Sequence, residues 1–210
     1  RVAGSLRRGP QGDRGMKTVF FDVDTQMDFL YPAGALYVPG AEQIVENVAA
    51  LNHYAARNGI VVISDMDAHT EDDPEFQAWP PHCVAGTAGQ QKPAATLLEK
   101  RVVVPNVPDE LKLEGVQQVL LEKQTLDCFG DVNLPALLTQ LEAERYVVYG
   151  VVTEICVKYA AWGLLRTGKR VELVTDAVRS LDEAAAAQMI AEFQAQGGVL
   201  TTVAEVMRAA

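Results

Sequence analysis

From Lys17 onward, short runs of β-branched and aromatic residues alternate with longer stretches whose apolar positions recur at helical spacing. Thr18-Val-Phe-Phe-Asp-Val-Asp24 opens the series as a strand, and a Pro- and Gly-bearing loop carries the chain to Gly40. Across Ala41 to Asn58, Ile44, Val45, Val48 and Leu51 fall on one helical face, with Tyr54 and Ala55 one turn on and Gly59 placed as the C-terminal cap. Ile60–Ile63, Arg145–Tyr149, Val171–Val174 and Val199–Thr202 are predicted strands, with Val102–Val104 and Val119–Leu121 as further short candidates. Helices are predicted over Asn133–Glu144, over Glu154–Thr167 ending at Gly168, and over Leu181–Gln196 ending at Gly197-Gly198, with a short helix last. Such alternation means a parallel sheet covered by helices on both faces. We therefore expect one doubly wound, Rossmann-type α/β domain with about six mainly parallel strands.

Composition changes this picture little but narrows the function. The 210 residues, 49% hydrophobic and 22% charged, suit a globular chain and exclude wholesale disorder. A net charge of −10 repels polyanions, so nucleic acid is not an expected partner. The first fifteen residues differ: Arg1, Arg7, Arg8 and Arg14 against Asp13 give +3, leaving −13 for the remainder. We expect residues 1–15 to be a disordered tag or extension and the domain to occupy 16–210. No apolar run approaches the length of a membrane span, and no membrane partner is expected. Three cysteines, Cys83, Cys128 and Cys156, do not suggest a disulfide framework, which favours a reducing, cytoplasmic setting.

In open parallel sheets, ligands bind beyond the carboxyl ends of the strands. Asp24 ends the first strand, Asp67 and His69 lie just past the second, Lys123 ends the fourth, and Cys156 opens the helix after the fifth. A thiol in a first helical turn feels the positive end of the helix dipole, which together with a lysine favours thiolate. A neighbouring carboxylate can take its proton and return it to a leaving amine. Asp67-Ala-His69 with His82 offers one carboxylate and two imidazoles, and three ligands with an open position characterise a catalytic metal site. The long connection from Ser64 to Gln91 holds two of these residues, and loops of that length are usually functional. Each residue also has a plainer explanation: Asp24 as a turn cap, Lys123 as a solvated lysine, Cys156 as a small buried hydrophobe, and the histidines as loop packing. Phe20-Phe-Asp22-Val-Asp24 also resembles the opening of haloacid-dehalogenase-like magnesium phosphatases, with Lys123 as their lysine. That pattern's Thr/Val position is Gln26, and Asp176 and Asp182 do not form its later acid pair. A catalytically silent small-molecule binding module is a further alternative.

A wider set of motifs carries a stronger resemblance. Asp24-Thr-Gln-Met-Asp-Phe29, Pro32-Ala-Gly34, Val38-Pro-Gly40, Asp67-Ala-His69, Trp79-Pro-Pro-His82 through Gly89, Glu122-Lys123-Gln-Thr125 and Gly150-Val-Val-Thr-Glu-Ile-Cys156 follow in order. From Met16 to its end the chain resembles the isochorismatase-like cysteine hydrolases, and among them most the nicotinamidase/pyrazinamidase group. The resemblance implies Cys156 as nucleophile, Asp24 as proton shuttle and Lys123 as the cation that orients them. It implies zinc, or another divalent transition metal such as manganese or iron, on Asp67, His69 and His82. It further implies a cis peptide between Val151 and Val152, an oxyanion hole from the N–H groups of Val152 and Cys156, and a ring pocket lined by Phe29 and Trp79. The expected reaction is hydrolysis of nicotinamide or a similar small carboxamide to acid and ammonia by an oligomeric enzyme. Another amide or carbamoyl hydrolase of the superfamily is the nearest alternative. Three departures stand out. Thr70-Glu-Asp-Asp73 replaces a usual additional histidine, so that Asp73 or water takes its place or the ligand is missing. Asp22 occupies an apolar strand position, and Leu126–Gly130 differs from the usual pocket loop.

Overall fold

The computed structural model describes residues 16–208; the expected extension, residues 1–15, lies outside the described residues. Seven strands, β1 (Thr18–Val23), β2 (Val61–Asp67), β3 (Arg101–Val104), β4 (Gln118–Lys123), β5 (Arg145–Val151), β6 (Arg170–Arg179) and β7 (Val199–Thr201), form one sheet. Their order is β3-β4-β2-β1-β5-β6-β7, and every pair is parallel. The sheet thus has one strand more than the expected count of about six, because both short valine-rich candidates pair.

Burial on both faces explains the near-continuous apolar strands. On β1, Phe20 points into a core shared with Val48 and Leu51 of α2 (Val45–Arg57) and with Val206 of α6 (Val203–Arg208). Phe21 and Val23 point the other way. They meet Leu134 and Leu137 of α3 (Leu134–Leu141), Ala160 and Leu164 of α4 (Lys158–Leu165), and Phe193 of α5 (Glu183–Ala195). Local signals set the helix limits. Asp182 caps α5 by accepting from the amides of Ala184 and Ala185 at 2.8 and 3.0 Å, and Gly59 takes φ +67° after α2. A one-turn helix, α1 (Met27–Leu30), follows β1.

Several boundaries differ from the sequence expectation. β2 continues through Ser64 to Asp67, so the long connection begins at Ala68 and Asp67 is the last strand residue rather than one beyond it. β6 runs to Arg179 instead of stopping at Val174, because its register against β5 shifts between Val148 and Gly150. The polar residues that read as a strand end are used at that bulge: Asp176 Oδ1 accepts from the Val203 amide at 2.9 Å, capping α6. The helix predicted from Glu154 begins as a π-helical turn, Thr153–Val157, before α4. Beside that shift, Gly150 has φ +121°, and a Cβ there would collide with the Val23 carbonyl oxygen. Only glycine lets β5 approach β1 this closely.

At the opposite end of the sheet, the side chain of Glu172 is 6% exposed and accepts from Arg145 Nη2 and Arg170 Nε, both at 2.6 Å. Burial raises its carboxyl pKa, but these bonds outweigh that and hold it below the ordinary 4.5. A depressed carboxyl stabilises the fold above its unfolded pKa and loses that contribution as pH falls through the folded value. Glu172→Gln should therefore cost roughly 2 kcal/mol of unfolding free energy at pH 7. In urea denaturation, the difference from wild type should shrink on acidification below 4.5.

Candidate active site

Because β1 leads to β2 on one side while β5 flanks it on the other, the sheet has its topological switch beside β1, where loops diverge and leave a crevice. Asp24, immediately after β1, is held at φ +48° while its amide donates to the Asp65 carbonyl. Asp67 and Lys123 are register partners at the ends of β2 and β4. Their side chains meet: Lys123 Nζ is 2.5 Å from Asp67 Oδ1 and 3.0 Å from both oxygens of Asp24. Cys156 lies in the π-helical turn that follows the cis Val151–Val152 peptide, and its side chain is buried beside the Asp24 carboxylate. The structure thus gathers Asp24, Lys123 and Cys156 from three distant stretches of chain into one buried cluster.

The charges in this cluster are unevenly distributed. Burial, reinforced by the Asp67 charge, raises Asp24 to about 6 against the pull of Lys123. Asp67 is driven far below the carboxylate range despite burial, by Lys123 and by the neighbouring imidazoles of His69 and His82. One carboxylate stays anionic while its neighbour is poised to exchange a proton near neutrality. The expectation that the turn and the lysine favour a Cys156 thiolate is not met in the free site. Burial first, and then the Asp24 carboxylate, push the thiol well above its ordinary value, against the pull of Lys123. Both effects favour the thiol form beside a carboxylate that can take its proton.

Beside this cluster, donor atoms of Asp67, His69 and His82 all lie within 4.8 Å of one another. Asp67 Oδ2 is 3.6 Å from His69 Nε2 and 3.5 Å from His82 Nε2. The other nitrogen of each ring faces an oxygen, His69 Nδ1 standing 3.0 Å from Asp73 Oδ2 in an ion-pair contact and His82 Nδ1 hydrogen-bonding the Pro80 carbonyl at 2.7 Å. This leaves both Nε2 atoms for a cation. Burial opposes a charge on His69, but Asp67 and Asp73 push it up to about 9, so protons compete for the site when no metal is bound. Sequence reasoning missed Glu75, whose Oε1 is buried without a hydrogen-bond partner, 4.0 Å from His69 Nε2 and 3.9 Å from His82 Nε2. Asp73, one of the alternatives for the missing histidine's place, sits behind His69 and caps the turn carrying Glu75 by accepting its amide at 2.9 Å. A carboxylate, two imidazoles and a nearby second carboxylate make a borderline-hard donor set that fits a divalent transition metal.

A narrow cleft connects the two halves. Phe29, Leu36, Trp79, Leu126, Ile155 and Leu181 give it apolar walls, and Asp67, Glu75, His82, Val152 and Cys156 also face it. The Phe29 and His82 ring centroids are 5.3 Å apart. Both predicted ring-pocket residues, Phe29 and Trp79, therefore line the cleft. The Val152 carbonyl accepts from the amides of Ile155 and Val157 and so is committed to the turn. Asp22 is elsewhere, wholly buried against α2 and bonded to Thr25, Asn52 and Ser64, which leaves it unavailable as the nucleophile a phosphatase would need.

The Isochorismatase domain model matches residues 18–205. The chain belongs to the isochorismatase family. This family member is 28% identical to the uncharacterized isochorismatase family protein PncA of Bacillus subtilis, over 85% of this chain and 94% of that protein. It is 25% identical to the nicotinamidase of Escherichia coli, over 87% and 93% of the two chains. Among solved structures, the pyrazinamidase of Pyrococcus horikoshii in complex with zinc superimposes with a TM-score of 0.73 at 25% identity, over 89% of this chain and 99% of that one. No helix among the described residues is long and apolar enough to cross a membrane.

Asp73 touches His69 without facing the cation space, so Asp73→Ala should weaken zinc binding by roughly 10–100-fold while the other donors remain. Competition against a chromophoric chelator measures this; unchanged affinity would show that Asp73 does not orient the imidazole.

Proposed function

We propose that this chain hydrolyses nicotinamide, or a comparably small neutral carboxamide, to the acid and ammonia through a thioester on Cys156. The contact of the Cys156 thiol, the Asp24 carboxylate and the Lys123 ammonium beside an apolar cleft is the observation that carries this reading. The Asp24 carboxylate takes the thiol proton as sulfur bonds to the carboxamide carbon, and the carbonyl oxygen gathers negative charge. The amides of Val152 and Cys156 are assigned to meet that charge, each worth about 3 kcal/mol in such a role. Protonated Asp24 then gives its proton to nitrogen, the C–N bond breaks and ammonia leaves. Water attacks the thioester and yields a proton to Asp24, the C–S bond breaks, and the restored thiol regains its proton as the acid departs. Lys123 keeps Asp24 oriented and Asp67 ionised throughout.

Asp67, His69 and His82, with Glu75 beside them, would hold zinc, manganese or iron. Such an ion supplies a Lewis-acidic position that fixes a ring nitrogen of the substrate. The cleft's own lining favours a neutral substrate. Its walls are largely apolar and no lysine or arginine is among its lining residues, so the carboxylate of an N-carbamoyl amino acid would find no cationic side chain to pair with there. The cysteines are free, and a thiol nucleophile suits a reducing cytoplasm.

Zinc-loaded protein should release ammonia from nicotinamide with kcat/KM at least about 100-fold above that for N-carbamoyl amino acids, since a carboxylate desolvated against apolar walls without a cationic side chain costs several kcal/mol. Equal rates on both would overturn the substrate assignment. Cys156→Ala should lose at least about 1,000-fold in kcat, as loss of a nucleophile does, and retained turnover would overturn the thioester route.

A further inference from the structure

We propose that a second buried ion pair, Asp22–Lys92, is a positioning device for Asp24. The inference rests on the reading of Asp24 as the proton carrier. Asp22 projects from β1 on the Phe20 side, where the α2 core calls for an apolar side chain, and a carboxylate there is expensive unless fully compensated. Compensation is complete. Lys92, with a wholly buried side chain, places Nζ 2.9 Å from Asp22 Oδ2, which also accepts from Asn52 Nδ2 at 3.1 Å and Ser64 Oγ at 3.0 Å. Asp22 Oδ1 accepts from Thr25 Oγ1 at 2.7 Å, and Lys92 donates to that same hydroxyl and, at 3.4 Å, to the Thr25 carbonyl.

Both ends of the pair therefore grip the residues flanking Asp24, two positions before it and one after. Asp24 between them has φ +48°, a conformation a non-glycine residue keeps only when its surroundings over-determine it. Lys92 ends the loop that carries His82, and that loop is laced to the same stretch by Met27 N to Gln91 O at 2.8 Å and Gln26 Nε2 to Gln90 O at 2.8 Å. Stability alone does not account for the pair, because apolar residues of matching volume serve a core equally well or better. What they lack is a hold on Thr25, the residue that follows Asp24.

The test compares wild type, Thr25→Val, and the double variant Asp22→Val/Lys92→Met, which removes both charges together. For variants with Tm within a few degrees of wild type, kcat for nicotinamide should fall at least about tenfold, the scale of a small misplacement of a reacting group, with KM and bound zinc unchanged. Iodoacetamide labelling of Cys156, followed by peptide mass spectrometry, should quicken at least about threefold, because moving the Asp24 carboxylate away favours the thiolate. Loosening of the fold would also speed labelling of the buried Cys83 and Cys128, which should instead keep their wild-type rates. A double variant or Thr25→Val with wild-type kcat, or with Cys156 labelling unchanged or slower, would overturn the positioning role. If wild type itself fails to hydrolyse the amide, the functional reading falls, while the labelling rates still decide the claim about Asp24. Should the double variant not fold, Thr25→Val, which keeps both charges, decides it.

Discussion

A single ammonium group organises this site. Lys123 is 1% exposed, and a cation so buried persists only against matched negative charge. It finds that charge in Asp24 and Asp67, which come from the ends of β1 and β2. Because it lies nearer to Asp67, that carboxylate remains charged and can serve cations through its other oxygen. Asp24, more weakly held and crowded by Asp67, is left with proton affinity near neutrality. The two halves of the site thus share one lysine, and Asp67 belongs to both.

The sheet topology is what makes such a meeting possible. Parallel strands all end on the same edge, so residues separated by 99 positions in sequence, as Asp24 and Lys123 are, become neighbours without any long-range motif. The π-helical turn then brings the sulfur of Cys156 back over Asp24 instead of letting it run on along a regular helix.

Much of this was legible in the chain. Helical spacing in Ile44, Val48 and Leu51 located α2, Gly59 marked its end, and the strand-end rule selected Asp24, Asp67, Lys123 and Cys156 together. What was not legible depended on partners. Glu75 lies in a polar loop with no periodicity, and only the fold shows its oxygen near two imidazoles. Asp73 carried the right chemistry for a ligand, yet its placement behind His69 is set by the turn it caps. Asp22 was conspicuous as a polar residue in an apolar strand, but Lys92, 70 residues away, could not be paired with it before their elements were placed. The strand length of β6 escaped for a related reason: Asp176 looks like a terminator in one dimension and is a helix cap in three.

The contact between Gly150 and the backbone of Val23 has a consequence for anyone diversifying this enzyme. A single added methyl there would wedge the central pair of strands apart close to the Cys156 turn, and no repacking of flexible side chains could absorb it, since the obstacle is main chain. Position 150 is therefore a poor site for a mutational library. Searches for altered selectivity belong at the rim, at Leu181, whose side chain is exposed at the cleft mouth.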